Sequence, residues 1–165
     1  ALLKKANKLA TDVEKLIEEF KKTVSGLEGK GKSMLPRVSA EATVMRETSP
    51  GRTRADVDVN FNIGSDRFLI GMYDAFESNK INAQIYKALS PDLDLRYGVY
   101  ASKPGVGVDY SLAPKLKLRG DLFGHNNPQL DFRLRYEFGS GISGWLGVDR
   151  VFNRNSPTFG VGIRK

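Results

Sequence analysis

Few residues of this chain are suited to acid–base or metal chemistry. There is no cysteine, and the single histidine, His125, lies in a run of Asn and Pro typical of a turn. Two carboxylate pairs, Asp56 with Asp58 and Asp92 with Asp94, have a spacing that places both members on one face of a strand. A zinc site or an acid–base catalyst needs more partners than these residues supply. We therefore expect no catalytic residue, no metal site and no cofactor, and predict that the protein is not an enzyme.

The carboxylates belong to a wider pattern in which charged and apolar residues alternate with the two-residue period of a β-strand. The pattern recurs after Pro36 and predicts about ten strands. One face collects charges of both signs: Asp94, Arg96, Asp109, Arg119, Asp121, Asp131, Arg133, Arg135 and Asp149. The other face is apolar: Leu93, Leu95, Val106, Val108, Leu116, Leu118, Phe132 and Leu134.

The links between the predicted strands alternate in length. Short turns are expected near residues 64–66, 90–92, 113–115 and 139–141, and longer links near 46–52, 76–80, 101–104, 124–128 and 152–157. Short turns at one end and longer loops at the other are typical of outer-membrane barrels. An even number of strands brings both chain ends to the short-turn side, which would face the periplasm. The predicted fold is therefore all-β, an antiparallel up-and-down transmembrane barrel with an N-terminal helix.

Alternation alone does not say which face points outward. Glycines such as Gly71, Gly107 and Gly147 share the charged face, where a crowded lumen would require them and a solvated surface would not. This favours leucines in the bilayer and charges in a lumen with little open pore. Aromatic residues near strand ends are expected to form girdles at the membrane surfaces: Tyr73, Tyr97, Tyr100, Phe123, Phe138 and Phe152. Two alternatives stay open, a soluble lipocalin-like barrel that holds a hydrophobic ligand among inward leucines, and a simple outer-membrane pore or anchor.

The first part of the chain has a different period. Residues 2–27 carry apolar residues three and four apart, which predicts a coiled-coil-like helix ended by glycines before Pro36. The domains are thus predicted as 1–33, helix and Gly-rich linker, and 36–165, the barrel. We expect the helix to associate with other copies of itself, although packing on or inside its own barrel is the alternative. Its seam consists of Leu2, Ala6, Leu9, Val13, Leu16 and Phe20.

Composition excludes some classes of protein. The formal charge of +7 is spread along the chain with acids among the bases, whereas a nucleic-acid surface gathers its cations on one face. We expect no nucleic-acid partner. No apolar run approaches the roughly 20 residues of a transmembrane helix, and no signal peptide is visible. Because the sequence opens inside a helical pattern, we expect it to be a piece of a longer protein.

Several strand motifs of the C-terminal half, most of them containing glycine, carry a family resemblance. They are Leu93-Asp-Leu-Arg-Tyr-Gly-Val-Tyr100, Gly105-Val-Gly-Val-Asp-Tyr110, Leu116-Lys-Leu-Arg-Gly-Asp-Leu-Phe123, Leu130-Asp-Phe-Arg-Leu-Arg-Tyr136, Gly147-Val-Asp149 and Phe159-Gly-Val-Gly-Ile-Arg164. Over roughly residues 80–165 this order resembles the C-terminal barrel of long MCE (mammalian cell entry) proteins of diderm bacteria; residues 1–79 resemble them only in layout.

The resemblance implies a trans-envelope bridge for phospholipid. The barrel would be its outer-membrane end, in contact with outer-membrane lipids, and the helix would lie in the periplasm. The MCE domain, which would assemble copies into a ring around the lipid passage, is not part of this sequence.

Overall fold

The structure, a computed structural model, describes residues 37–165 and, before them, residues 4, 5, 7, 8, 11, 12, 14, 15, 18, 19 and 22. These earlier residues have helical backbone, but the helix as a whole remains a prediction, since its entire seam (Leu2, Ala6, Leu9, Val13, Leu16 and Phe20) lies outside the described residues. None of the residues that the structure describes belongs to a helix long and apolar enough to cross a bilayer.

Ten antiparallel strands follow Pro36, each drawn from one of the alternating stretches. They are β1 (Arg37–Glu47), β2 (Arg52–Ile63), β3 (Asp66–Tyr73), β4 (Lys80–Ser90), β5 (Leu93–Tyr100), β6 (Lys103–Ala113), β7 (Leu116–Phe123), β8 (Gln129–Gly139), β9 (Ile142–Asp149) and β10 (Ser156–Arg164). The predicted all-β class and the number of strands are confirmed.

The sheet closes on itself. Each strand pairs with its neighbours in sequence, and β1 pairs with β10 from Glu41↔Arg164 to Glu47↔Thr158. Closure leaves no open sheet edge among the described strands, so their backbone polar groups are paired along the whole ring.

The links alternate as the sequence predicts, with one exception. Residues 64–65, 91–92, 114–115 and 140–141 form short turns at one end, while residues 48–51, 74–79, 124–128 and 150–155 form longer loops at the other. The expected longer loop near residues 101–104 is wrong, because Ala101 and Ser102, both at positive φ, make a tight hairpin there. β1 begins and β10 ends at the short-turn end.

Candidate functional site: the two faces of the barrel wall

The strand period divides the wall into an inner face and an outer face. Every predicted charged-face residue points inward: Asp94, Arg96, Asp109, Arg119, Asp121, Asp131, Arg133, Arg135 and Asp149. Every residue of the predicted apolar face points outward: Leu93, Leu95, Val106, Val108, Leu116, Leu118, Phe132 and Leu134. The register thus brings each set together on one surface.

Arg54 is the centre of an ion network in the half of the lumen near the long loops. Its guanidinium is fully buried and donates to Glu47 Oε1 at 2.6 Å, to Asp149 Oδ2 at 2.8 Å and to Asp56 Oδ1 at 2.9 Å. Arg133 clamps Asp149 from the other side, with Nε and Nη2 each 2.8 Å from a carboxylate oxygen. Two arginines therefore share one carboxylate across strands β2, β8 and β9, which fills this part of the lumen.

Three aromatic rings lie beside this network. Tyr73 and Tyr100 meet edge to face with ring centroids 5.6 Å apart, and Tyr100 meets Phe123 at 4.8 Å. All three are buried, and they are the last residues of their strands, at the end of the barrel with the long loops. The Tyr100 hydroxyl donates to Asp131 Oδ2 at 3.1 Å. The expectation that Tyr73, Tyr100 and Phe123 belong to a membrane girdle is therefore wrong. Their rings help close the lumen toward the long loops instead.

The middle of the lumen holds a second network. Arg96, which is fully buried, donates to Asp121 Oδ1 at 2.6 Å and to Asp109 Oδ1 at 3.0 Å, and Arg119 donates to the same Asp109 oxygen at 3.0 Å. Gly107 lies directly beneath this network. A Cβ at Gly107 would come within 2.5 Å of Asp121 Oδ1 and 2.8 Å of Arg96 Nη2. The lumen is thus as crowded as the glycine pattern predicts.

The half of the lumen nearer the short turns is open. A cavity of about 210 Å³ lies there, and its walls are mostly polar and charged, with Met45, Leu69 and Trp145 among residues such as Glu41, Asn62, Arg67, Asp94, Arg119, Arg135 and Arg164. Glu41 anchors one side, accepting from Arg135 at 3.0 Å and Arg164 at 3.1 Å, and Arg67 pairs with Asp94. Arg164 and Arg67 retain 39% and 37% exposure, while Arg54 and Asp149 near the long loops retain none. The lumen is therefore a cup open toward the end where β1 begins.

The outer face carries the large apolar side chains. Ile81, Val106, Phe132 and Leu146 are 56%, 48%, 47% and 64% exposed, and similar values recur from β3 to β10. Single exposed apolar side chains are ordinary on soluble proteins, but a contiguous band of them marks a surface that meets protein or membrane.

The long loops are tied to the network through Asp74. Its carboxylate accepts from Arg52 Nη1 at 3.0 Å and from the Ser78 hydroxyl at 2.6 Å. Burial acts to raise the pKa of Asp74, but the Ser78 hydrogen bond and the Arg52 charge outweigh burial and hold that pKa below its usual range. His125, the one candidate for acid–base chemistry, is exposed in the loop between β7 and β8. Within the described part of the chain, no cluster of three or more potential ligands could hold a metal ion.

Sequence reasoning missed Glu41, Glu47 and Arg54 as members of the networks. Arg54 has the same parity as Asp56 and Asp58, so extending the alternation of β2 backward would have placed it inside the barrel. No local signal shows the partner of Arg54, because Asp149 is 95 positions away along the chain.

The fold and the two faces define a class of protein, a closed antiparallel β-barrel with an apolar outside and a charged inside. The chain belongs to a lipocalin-like domain family, whose model matches residues 39–164. A solved structure described as "De novo design of transmembrane beta-barrels" is similar at 11% identity and a TM-score of 0.41, covering 78% of this chain and 94% of that one. No curated protein matches the chain. The resemblance to MCE proteins gains no support from these comparisons.

Proposed function

We propose that this barrel spans the outer membrane of a diderm bacterium, with its outer face in the hydrocarbon. The proposal rests on one observation: charged side chains are buried inside the barrel and large apolar side chains are exposed outside it. Arg54, Arg96 and Asp149 are buried inside, while Ile81 and Leu146 are more than half exposed outside. In water, each large apolar side chain left exposed forgoes about 1.5–3 kcal/mol of burial, and each buried ion pair costs desolvation. In a bilayer, hydrocarbon surrounds the apolar side chains of the outer face, so their exposure no longer carries this cost.

The dimensions fit a membrane. Strands of 8 to 12 residues at about 3.3 Å per residue, tilted by roughly 40°, rise about 20–30 Å, which matches an apolar band of about 25 Å. In outer-membrane barrels the short turns face the periplasm. By that rule the start of β1 and the open cup lie on the periplasmic side, and the long loops lie outside.

The lumen argues for an anchor rather than a diffusion pore. The networks of Arg54 and Arg96 and the rings of Tyr73, Tyr100 and Phe123 occupy the path through the barrel. We expect no steady single-channel conductance from the protein reconstituted in planar bilayers. A stable open channel would favour the simple-pore alternative.

The finer proposal is that the barrel anchors the outer-membrane end of an MCE-type phospholipid bridge. It rests on the motif order of residues 80–165 and on the chain leading into the barrel at the predicted periplasmic end. A cavity of about 210 Å³ with mostly polar and charged walls is too small and too polar for an acyl chain, because pockets that bind drug-sized ligands measure about 300–1,000 Å³. Lipid would therefore reach the membrane along the outside of the barrel. Its partners would be outer-membrane lipids, phospholipid cargo and the MCE ring.

The test of the membrane proposal is whether the chain folds without lipid. We expect β-sheet circular dichroism and a heat-modifiable gel band only when the urea-unfolded chain is diluted into detergent micelles or lipid vesicles. Dilution into buffer should give aggregation. A monodisperse folded monomer in buffer alone would contradict the proposal.

A second candidate, ligand binding inside the barrel, is favoured by the family and by the cup. Lipocalins hold a small ligand in a closed barrel. With charges lining the cup, the ligand would be small and polar, and Trp145 in the cavity wall would report it by a change in fluorescence. A saturable change on titration with small anions, in a protein that folds in buffer, would favour this function over membrane anchoring.

A further inference from the structure

One arc of the outer face differs from the rest. Ala40, Ala42, Val44 and Ile163 point outward from β1 and β10, yet they are only 5%, 1%, 1% and 5% exposed. By contrast, the outward residues Ile81 and Leu89 on β4 and Leu146 on β9 are more than half exposed. Burial of outward side chains requires another part of the molecule to lie against them.

Described residues of the N-terminal segment lie next to this arc at both of its ends. Lys5, Lys8 and Asp12 bound a cavity of about 360 Å³ together with Val44, Ala55, Phe76 and other residues of the wall near the long loops. Glu14 Oε2 lies 3.3 Å from Lys165 Nζ, where β10 ends at the short turns. The segment therefore runs along the barrel from the long loops toward the start of β1.

The residue types on both sides suit close packing. The described residues of the segment are charged or polar and nearly all are solvent-exposed, and the helical period of the sequence predicts that its apolar residues share the opposite face. Apart from Ile163, the arc is built of small side chains, Ala40, Ala42, Val44, Ala55 and Val57, whereas most of the large Leu, Ile, Phe and Tyr side chains of the outer face lie elsewhere on the wall. Small residues allow a helix to approach a neighbouring surface closely.

We propose that residues 1–22 dock in cis on the outer wall of their own barrel, over β1, β2 and β10. From the sequence pattern we expect the predicted seam of Leu2, Ala6, Leu9, Val13, Leu16 and Phe20 to pack on the small-residue arc, over the pairing of β1 with β10 that closes the barrel. This docking takes the place of the self-association that the heptad pattern suggests, and, because it brings Lys5 to the long-loop end, it is an alternative to the periplasmic MCE bridge. The segment follows the height of the wall and its charged outer side is costly in hydrocarbon, so in the membrane this arc faces another protein, and lipid covers the arc from β3 to β9.

The docking is testable by cross-linking, because the chain has no cysteine of its own. In the full chain refolded in micelles, Glu14→Cys with Lys165→Cys should be joined within one chain by a short bifunctional maleimide. The matched control pairs Glu14→Cys with Lys115→Cys, an exposed lysine in the turn between β6 and β7, across the barrel from β1. We expect at least tenfold more intramolecular product from the first pair. Equal yields, or product only between chains, would overturn the proposal.

A second pair of variants distinguishes docking from cross-linking by chance encounters. Ala42→Trp places a large ring in the covered arc, and Ala83→Trp places the same ring at an exposed outward position on β4. Ala42→Trp should abolish the intramolecular product while Ala83→Trp leaves it intact. No difference between them would also overturn the docking. Heat-modifiable mobility reports the barrel separately, so loss of docking in a folded barrel is distinct from failure of the membrane proposal.

Discussion

The inner and outer faces of the wall are built from the same strands, one residue apart, yet they follow opposite rules. Inside, Arg54 and Arg96 are buried and paired with carboxylates. Outside, Leu134 and Leu146 form a cross-strand pair in which Leu134 is half-buried and Leu146 is 64% exposed. A soluble barrel would exchange these two faces. The comparison supports our proposal that hydrocarbon surrounds the outer face, and changes on either face can test it.

The largest loss of folding free energy is expected when an arginine is removed from the ion network inside the barrel. Arg54→Met removes the shared cation and leaves Glu47, Asp56 and Asp149 buried with one partner fewer, which should cost about 3–5 kcal/mol of folding free energy. The matched outer-face change, Leu134→Met, should cost less than about 1.5 kcal/mol. Urea titration of the heat-modifiable band in micelles measures both, and equal costs would show that the inner network does not hold the fold.

The next effect concerns charge on the outer face. Leu134→Arg places a guanidinium near the middle of β8, where hydrocarbon would surround it, and should cost about 2–4 kcal/mol in lipid vesicles. Lys117→Leu, an inward residue in the open cup, makes the reverse change and should be nearly neutral. The yield of folded protein in vesicles checks the pair. A tolerated Leu134→Arg would mean that water reaches this face.

A smaller loss of stability is expected when a methyl group is added to an inward-facing glycine, where side chains are crowded, and none when it is added to an outward-facing glycine. Gly107→Ala forces a Cβ against Asp121 and Arg96 and should destabilise the barrel by about 1–3 kcal/mol. Gly120 points outward on the adjacent strand, and its added Cβ would meet Val108 Cγ2 at an ordinary 3.6 Å. Gly120→Ala should therefore be neutral in the same urea titration. Similar losses for both glycines would contradict the packed lumen.

The smallest effect belongs to the long loops and depends on pH. The pKa of Asp74 is lowered in the folded state, so its stabilisation is present above the ordinary Asp pKa of about 3.9 and is lost as the pH falls through the folded value. Asp74→Asn should cost only about 0.5–1 kcal/mol at pH 7, because Arg52 is partly exposed. The cost should be almost nothing at pH 2, where the Asp74 carboxylate is largely protonated. Asn tolerates the positive φ of 55° at this position. A cost that is unchanged at pH 2 would assign the effect to the loop backbone.

The alternation was enough to predict the strands, every link except the tight hairpin at Ala101–Ser102, and the side of the wall on which the charged set and the leucine-rich set lie, because a strand has only two faces and a closed barrel only two environments. It was not enough at the strand ends. Tyr73, Tyr100 and Phe123 were placed by their closeness to the loops, although their parity with Gly71, Gly98 and Asp121 puts them inside. Nor could it show that Arg54 meets Asp149, since that contact depends on the closure of the sheet.

The most direct test of the outward apolar face uses the single tryptophan of the chain. Trp145 points into the lumen and is 7% exposed, while its neighbour Leu146 points outward and is 64% exposed. In vesicles of phospholipids with brominated acyl chains, which quench tryptophan on contact, Trp145 should keep its fluorescence. The variant that moves the ring one position outward, Trp145→Phe with Leu146→Trp, should lose most of it. Strong quenching of Trp145, or none at position 146 in the folded barrel, would contradict the account.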